Sequence, residues 1–157
     1  MDRKINVISV VGAGYLGKQI IEKSLLYNYN IKVFDTNKED LDAFTKKMKK
    51  KIEDKKLDAT ITQFDTISEA VKDVDLVIEA VPEKLELKRE IFPKIDKAAS
   101  PHTIIVTNSS SIPISKIEDV VERKDKVMNI HFYDLFTLPV ADIMRGTQTS
   151  EDTFEKG

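Results

Sequence analysis

Apolar and polar positions along this chain fall into two alternating patterns. Short, nearly unbroken apolar runs are separated by longer stretches in which apolar residues recur every third or fourth position. The first run, residues 5–11, is polar only at Asn6 and Ser9, as in a strand buried on both faces of a parallel sheet. Helical spacing follows over residues 16–27, with Ile20, Ile21 and Leu25 on one side. Residues 28–30 then turn the chain into a second strand, 31–34. Asn37 is placed to cap a helix reaching to about residue 56, with Leu41, Phe44, Met48 and Ile52 as its apolar stripe. A third strand is predicted at 59–64, and Thr66 with Glu69 makes a capping box for a short helix to about 74. The fourth strand, 76–81, is closed by Pro82, and a helix over 83–99 follows that Pro93 should kink or split. A fifth strand at 103–107, a short helix at 116–121 and a sixth strand at 127–132 complete the alternation. A seventh strand, 140–144, follows the sixth too closely for a crossover helix and must run antiparallel to it. The fold class is therefore α/β: a doubly wound, mostly parallel sheet with an antiparallel edge strand.

The chain's end adds an expectation. Residues 147–150 have the character of a helix cap, and Glu151 and Asp152 suit a first helical turn. A helix of about six residues does not hold itself together in water, so a further segment is expected beyond it. With 157 residues the chain forms one domain, 1–157. Its net charge of −2 argues against a nucleic-acid or anionic-membrane partner. No apolar run approaches the ~18 residues that span a bilayer, and no signal peptide opens the chain, which reads as cytoplasmic. Having no cysteine, it has no disulfide, thiolate metal site or cysteine nucleophile, and no metal site is expected. The lysines between 46 and 56 read mainly as a solvated helix face, with a seat for a phosphate-bearing substrate arm as the sharper alternative.

The candidate chemistry begins where the first strand ends. Gly12-Ala13-Gly14-Tyr15-Leu16-Gly17 fits G-x-G-x-x-G between a strand and a helix. In such a turn the first glycine makes the bend, the second leaves room for a pyrophosphate, and the third lets helix and strand approach. The second strand ends on Asp35, whose carboxylate can accept the ribose hydroxyls of an adenosine and repel a 2′-phosphate. Together these predict an NAD site. Ligands of doubly wound sheets lie at the carboxyl ends of the strands, where Asn108, Ser110 and His131 fall, with Asp142 in the seventh strand. A hydroxyl, an imidazole and a carboxylate there could serve hydride transfer, the imidazole exchanging the alcohol proton. His131 reads equally well as a structural histidine, and His102 reads as a surface one.

These residues carry a resemblance to the L-3-hydroxyacyl-CoA dehydrogenase family. VVGAGYLG, Asp35, the run DLVIEAVPEKLELKREIF, the run TNSSSIPI and His131-Phe132 resemble its N-terminal, Rossmann-type NAD-binding domain from the glycine turn to the end of the chain. The resemblance implies that His131 is the general acid/base, Ser110 a substrate-contacting serine, and Asp142 the carboxylate that pairs with the histidine. It further implies cofactor contacts from Gly12, Gly14, Tyr15, Leu16, Gly17, Asp35, Ala80, Val81, Glu83, Lys88, Asn108, Ser110 and Asp134. The departures are specific. Asp134 replaces an asparagine that meets the nicotinamide end, and Leu135 a proline; Asp142 is one methylene shorter than the family's glutamate; and the segment after Asp35 is trimmed. The helical C-terminal domain, which closes the pocket and makes the homodimer, is expected to be absent from this chain. The reading is an NAD-dependent 3-hydroxyacyl-CoA dehydrogenase-type domain, in which the hydride passes between substrate C3 and NAD, and which is incomplete as an enzyme alone. A dehydrogenase of another small 3-hydroxy acid and a non-catalytic NAD-binding module are the alternatives.

Overall fold

A computed structural model describes residues 4–157; residues 1–3 of the expected domain lie outside the described residues. Seven strands form one sheet: β1 Val7–Val11, β2 Asn30–Phe34, β3 Ile61–Gln63, β4 Leu76–Glu79, β5 Ile104–Thr107, β6 Val127–Phe132 and β7 Ala141–Arg145. Their order is β3-β2-β1-β4-β5-β6-β7, parallel throughout except for the β6–β7 pair. The apolar runs thus become the central strands, and the antiparallel edge strand is where the short connection demands it. The order reverses between β1 and β4, which opens a crevice between their carboxyl ends.

Helices α1 Tyr15–Leu26 and α2 Lys38–Lys55 cover one face; α3 Ile67–Val71 and α4 Leu85–Ala98 cover the other. Each face has its own core. Val10, Ile20, Ile31, Met48, Val106 and Met128 fill the first, and Val11, Val77, Phe92, Ile95, Ile105 and Ile117 the second. Asn37 and Thr66 cap α2 and α3 by accepting the N–H groups of Asp40 and Glu69, as expected. The lysines of α2 outside its stripe are exposed, apart from the half-buried Lys51 paired with Glu22, which favours the solvated-face reading.

Two expectations are corrected. Pro93 does not split α4, which runs unbroken from Leu85 to Ala98. The missing N–H bond is outweighed by packing, since Phe92 and Ile95 beside it are fully buried. In place of a short helix at 116–121 there are 3-10 turns at Ile114–Lys116, Glu118–Val120 and Lys124–Lys126. Ile114 and Ile117, three apart, share the eclipsed side of that geometry and are both buried. The last helix, α5 Glu151–Lys156, is tied to this domain by contacts of its own. Ser150 caps it, Thr153 is buried, Arg145 grips Glu151 through both guanidinium nitrogens, and that guanidinium lies 3.9 Å from the Phe154 ring centroid.

Candidate dinucleotide and substrate site

The turn after β1 is built as the glycine pattern requires. Gly12 has φ +102°, and a Cβ there would lie 2.6 Å from the Ala80 carbonyl oxygen, so the bend presses directly on the end of β4. A Cβ on Gly17 would strike the Gly12 carbonyl, which fixes the close approach of α1 to the turn. Gly14 is exposed, and a Cβ on it would meet nothing within 4 Å. That open space lies at the start of α1, where no side chain caps the helix and the first turn holds no acid. Uncapped N–H groups, a positive dipole end and a bare backbone fit a pyrophosphate.

Asp35 closes the adenosine side. One of its oxygens accepts the Ala13 N–H at 2.7 Å and the other the Asn37 N–H at 2.7 Å. The carboxylate is thereby fixed against the glycine turn with acceptor capacity to spare for hydroxyl donors. Among the described residues no cation pairs with it, so its negative charge stands uncompensated toward a 2′-phosphate. A groove of about 680 Å³ runs beside Gly14 and Tyr15, between Lys18 of α1, Phe44 and Lys47 of α2, and Phe136.

Across the crevice, the end of β4 is anchored by a buried ion pair. Lys88 Nζ lies 2.8 Å from Glu79 Oε1 and 3.0 Å from Oε2, and both side chains are excluded from water. Glu79 also accepts the Val81 N–H and the Thr107 hydroxyl, which ties β4, β5 and α4 together beneath Ala80 and Val81. Glu79 had no role in the sequence reading. An acid inside an apolar strand with a lysine nine positions later was the available signal. Glu83, expected at the cofactor, is exposed and accepts the hydroxyl of the buried Ser109.

Two asparagines stitch the serine loop to β6. Asn108 Oδ1 accepts the Phe132 N–H at 2.9 Å, and Asn129 Nδ2 donates to the Ser109 carbonyl at 3.1 Å. Ser110 is exposed at the tip of this loop, and His131 is half-buried near the end of β6. His102 is elsewhere, half-buried at the amino end of β5 with Nε2 3.6 Å from Asp75.

The expected histidine–carboxylate pair is in register without being hydrogen-bonded. His131 and Asp142 are direct partners in the β6–β7 ladder, so their side chains share one face. Asp142 Oδ2 instead accepts the Tyr133 hydroxyl at 2.8 Å, which holds that phenol's pKa up. The Tyr133 ring lies 4.8 Å from the His131 ring, tilted by 50°.

Asp134 is held by contacts that the sequence did not disclose. It accepts the side-chain N–H of Gln19 and the hydroxyl of Tyr15 on one oxygen, and the N–H groups of Phe136 and Thr137 on the other. Gln19 returns the contact by accepting the Leu135 N–H at 2.8 Å. Four converging donors hold the Asp134 carboxyl well below the usual carboxylate range, with Gln19 and Tyr15 the leading causes. The loop after β6 is thus latched to the first turns of α1. Among the described residues no cluster of histidine or acidic side chains could hold a metal ion, and no helix is long and apolar enough to cross a membrane.

Comparison with known proteins agrees with this geometry. The model of the 3-hydroxyacyl-CoA dehydrogenase NAD-binding domain matches residues 7–157. A probable 3-hydroxybutyryl-CoA dehydrogenase of Bacillus subtilis is 32% identical over 96% of the chain and 56% of its own length. Among solved structures, a diketoreductase described for dual catalysis of dicarbonyl compounds is 32% identical, with a TM-score of 0.86 over 99% of the chain and 60% of its own. The (S)-3-hydroxybutyryl-CoA dehydrogenase of Ralstonia eutropha is 26% identical, with a TM-score of 0.81 over 97% of the chain and 58% of its own. The chain spans about half the length of the curated relatives it matches.

Proposed function

The chain belongs to the family of 3-hydroxyacyl-CoA dehydrogenase NAD-binding domains, and from that premise we propose that it carries the hydride-transfer half of such an enzyme. The carrying observation is convergence: the glycine turn, Asp35, the Ser110 loop and His131 all lie at the carboxyl edge of one sheet. Gly14, Tyr15, Leu16 and Gly17 would hold the pyrophosphate, Asp35 the adenosine ribose, and Ala80, Val81, Glu83, Asn108 and Asp134 the nicotinamide half, with Lys88 supporting them from beneath through its pair with Glu79. Bound NAD supplies the hydride acceptor. His131 takes the proton of the substrate hydroxyl in oxidation and returns it in reduction, while Ser110 hydrogen-bonds the reacting oxygen.

Ser110 is exposed and His131 only half-buried in this chain. Hydride transfer needs the reacting atoms held at about 3–3.5 Å in a site that excludes water, so efficient turnover calls on protein beyond these residues. Isothermal titration of the 157-residue chain should show NADH binding without efficient reduction of acetoacetyl-CoA. Turnover near the ~10 s⁻¹ typical of enzymes would overturn that division of labour. Fused to a relative's remaining half, the domain should reduce acetoacetyl-CoA, and His131→Ala should lower the rate roughly 10²–10⁴-fold.

A second reading has an observation in its favour. After α2 the chain takes a left-handed residue at Lys56 and reaches β3 at Ile61 with no second helix between them. A short connection offers little surface to a long nucleotide-bearing substrate arm. The likeness to a diketoreductase supports a small 3-hydroxy or dicarbonyl substrate instead. Parallel assays of the fused protein with acetoacetyl-CoA and with free 3-oxo acids decide between the two, and NADH binding without turnover of either would mark a non-catalytic module.

A further inference from the structure

The His131 face of the β6–β7 pair holds three polar side chains in contact sequence: imidazole, phenol, carboxylate. Asp142 stands directly opposite His131, at the separation where cross-strand side chains meet. Its carboxylate nevertheless reaches diagonally to the Tyr133 hydroxyl, 2.8 Å away. Tyr133, two residues after His131 and the first beyond β6, lays its ring beside the imidazole at 4.8 Å. Of the titratable groups around His131, Asp142 faces it from β7 and Tyr133 from the start of the loop that follows β6. The neighbouring serine loop brings none of its own, and its Ser109 engages Glu83 from the foot of α4.

We propose that Tyr133 is a positioning residue for His131: its phenol captures the Asp142 carboxylate and its ring supports the imidazole, so that Asp142 acts on His131 through Tyr133 rather than by a direct hydrogen bond. The chemistry is consistent with that order. A phenol whose pKa is pushed upward stays protonated at neutral pH and remains a donor to the carboxylate. A tyrosine ring spans the diagonal distance that the short aspartate side chain does not cover alone. The consequence is an imidazole whose two nitrogens are both left to substrate and solvent, with its ring plane fixed by the tyrosine. Whether His131 exchanges the substrate proton belongs to the reading above, on which the word positioning rests; the contact order itself is tested without catalysis.

The test uses the two histidines of the chain, with His102 at the opposite edge of the sheet as internal reference. Nitrogen-15 spectra of the ring nitrogens are followed against pH in the unaltered chain, Tyr133→Phe, Asp142→Asn and the double variant. Freed from the phenol, Asp142 should accept a ring N–H of His131 in Tyr133→Phe. The imidazole then collapses onto one tautomer, read as two well-separated ring-nitrogen shifts, because a carboxylate acceptor holds the proton on the nitrogen facing it. The double variant should lose that effect, while the His102 signals stay unchanged throughout. Tyr133→Phe spectra that match the unaltered chain overturn the proposal. Should Tyr133→Phe fail to fold, the phenol titration of Tyr133 in Asp142→Asn decides: it should fall toward the ordinary tyrosine value, and an unmoved phenol overturns the clamp. Loss of turnover in His131→Ala is a separate result, so a failed clamp and a failed catalytic reading are distinguishable.

Discussion

At the scale of single residues, acceptor chemistry explains most of the site. Asp35 is fixed by two backbone N–H groups before any ligand arrives, so its charge is presented without a rearrangement. NAD is therefore expected to bind far more tightly than NADP. Asp35→Ala should narrow the gap by on the order of 1–3 kcal/mol, the worth of a hydrogen bond to a charged group, and equal affinities in the unaltered chain would refute this. Asp134 carries a pH signature of known sign. Its folded pKa is depressed, so the stability it lends is complete above the unfolded value of about 3.9 and is lost as pH falls through the lower folded one. The difference in thermal midpoint between the unaltered chain and Asp134→Ala should be constant near neutrality and shrink only below about pH 4. A difference independent of pH in acid would disprove the latch. The placing of Asp35 beside the glycine turn was legible because strand, glycine turn and strand-end acid are local signals. The partners of Asp134 were not, since Gln19 and Tyr15 lie more than a hundred positions away in sequence.

Among the elements, strands and helices were legible wherever periodicity or a capping residue marked them. The failures came where tertiary contacts overruled a local rule. Pro93 stays inside α4 because the apolar face of that helix is buried at Phe92 and Ile95. Asp142 could be placed opposite His131 by counting along the strands, yet which side chain it touches depends on reach across a diagonal, which no sequence spacing states. The Glu79–Lys88 pair lets the joining of elements be measured. Lys88→Ala would strand a buried carboxylate between β4, β5 and α4, and should destabilise the chain by about 3–5 kcal/mol in denaturant unfolding. Exchanging both partners for apolar residues of similar volume should recover most of that loss. A small effect of Lys88→Ala on stability, with a large one on NADH affinity, would instead make Lys88 a cofactor contact in its own right.

Across the whole molecule, every strand pairing but one joins segments separated by a helix or by the long run between β5 and β6. The exception is β6–β7, a hairpin closed by the loop of residues 133–140. Hairpins form in roughly 1–10 μs, whereas pairings between distant segments wait on loop closure and helix docking. The order of assembly then follows from the topology. His131, Tyr133 and Asp142 come together in the one part of the sheet that needs no crossover, ahead of the glycine turn, whose bend is shaped only once β4 lies beside β1. In refolding followed by pulsed hydrogen exchange, the paired amides of β6 and β7 should gain protection before those of β1 and β4. The histidine side of the candidate site would exist, in time, before the glycine turn across the crevice from it.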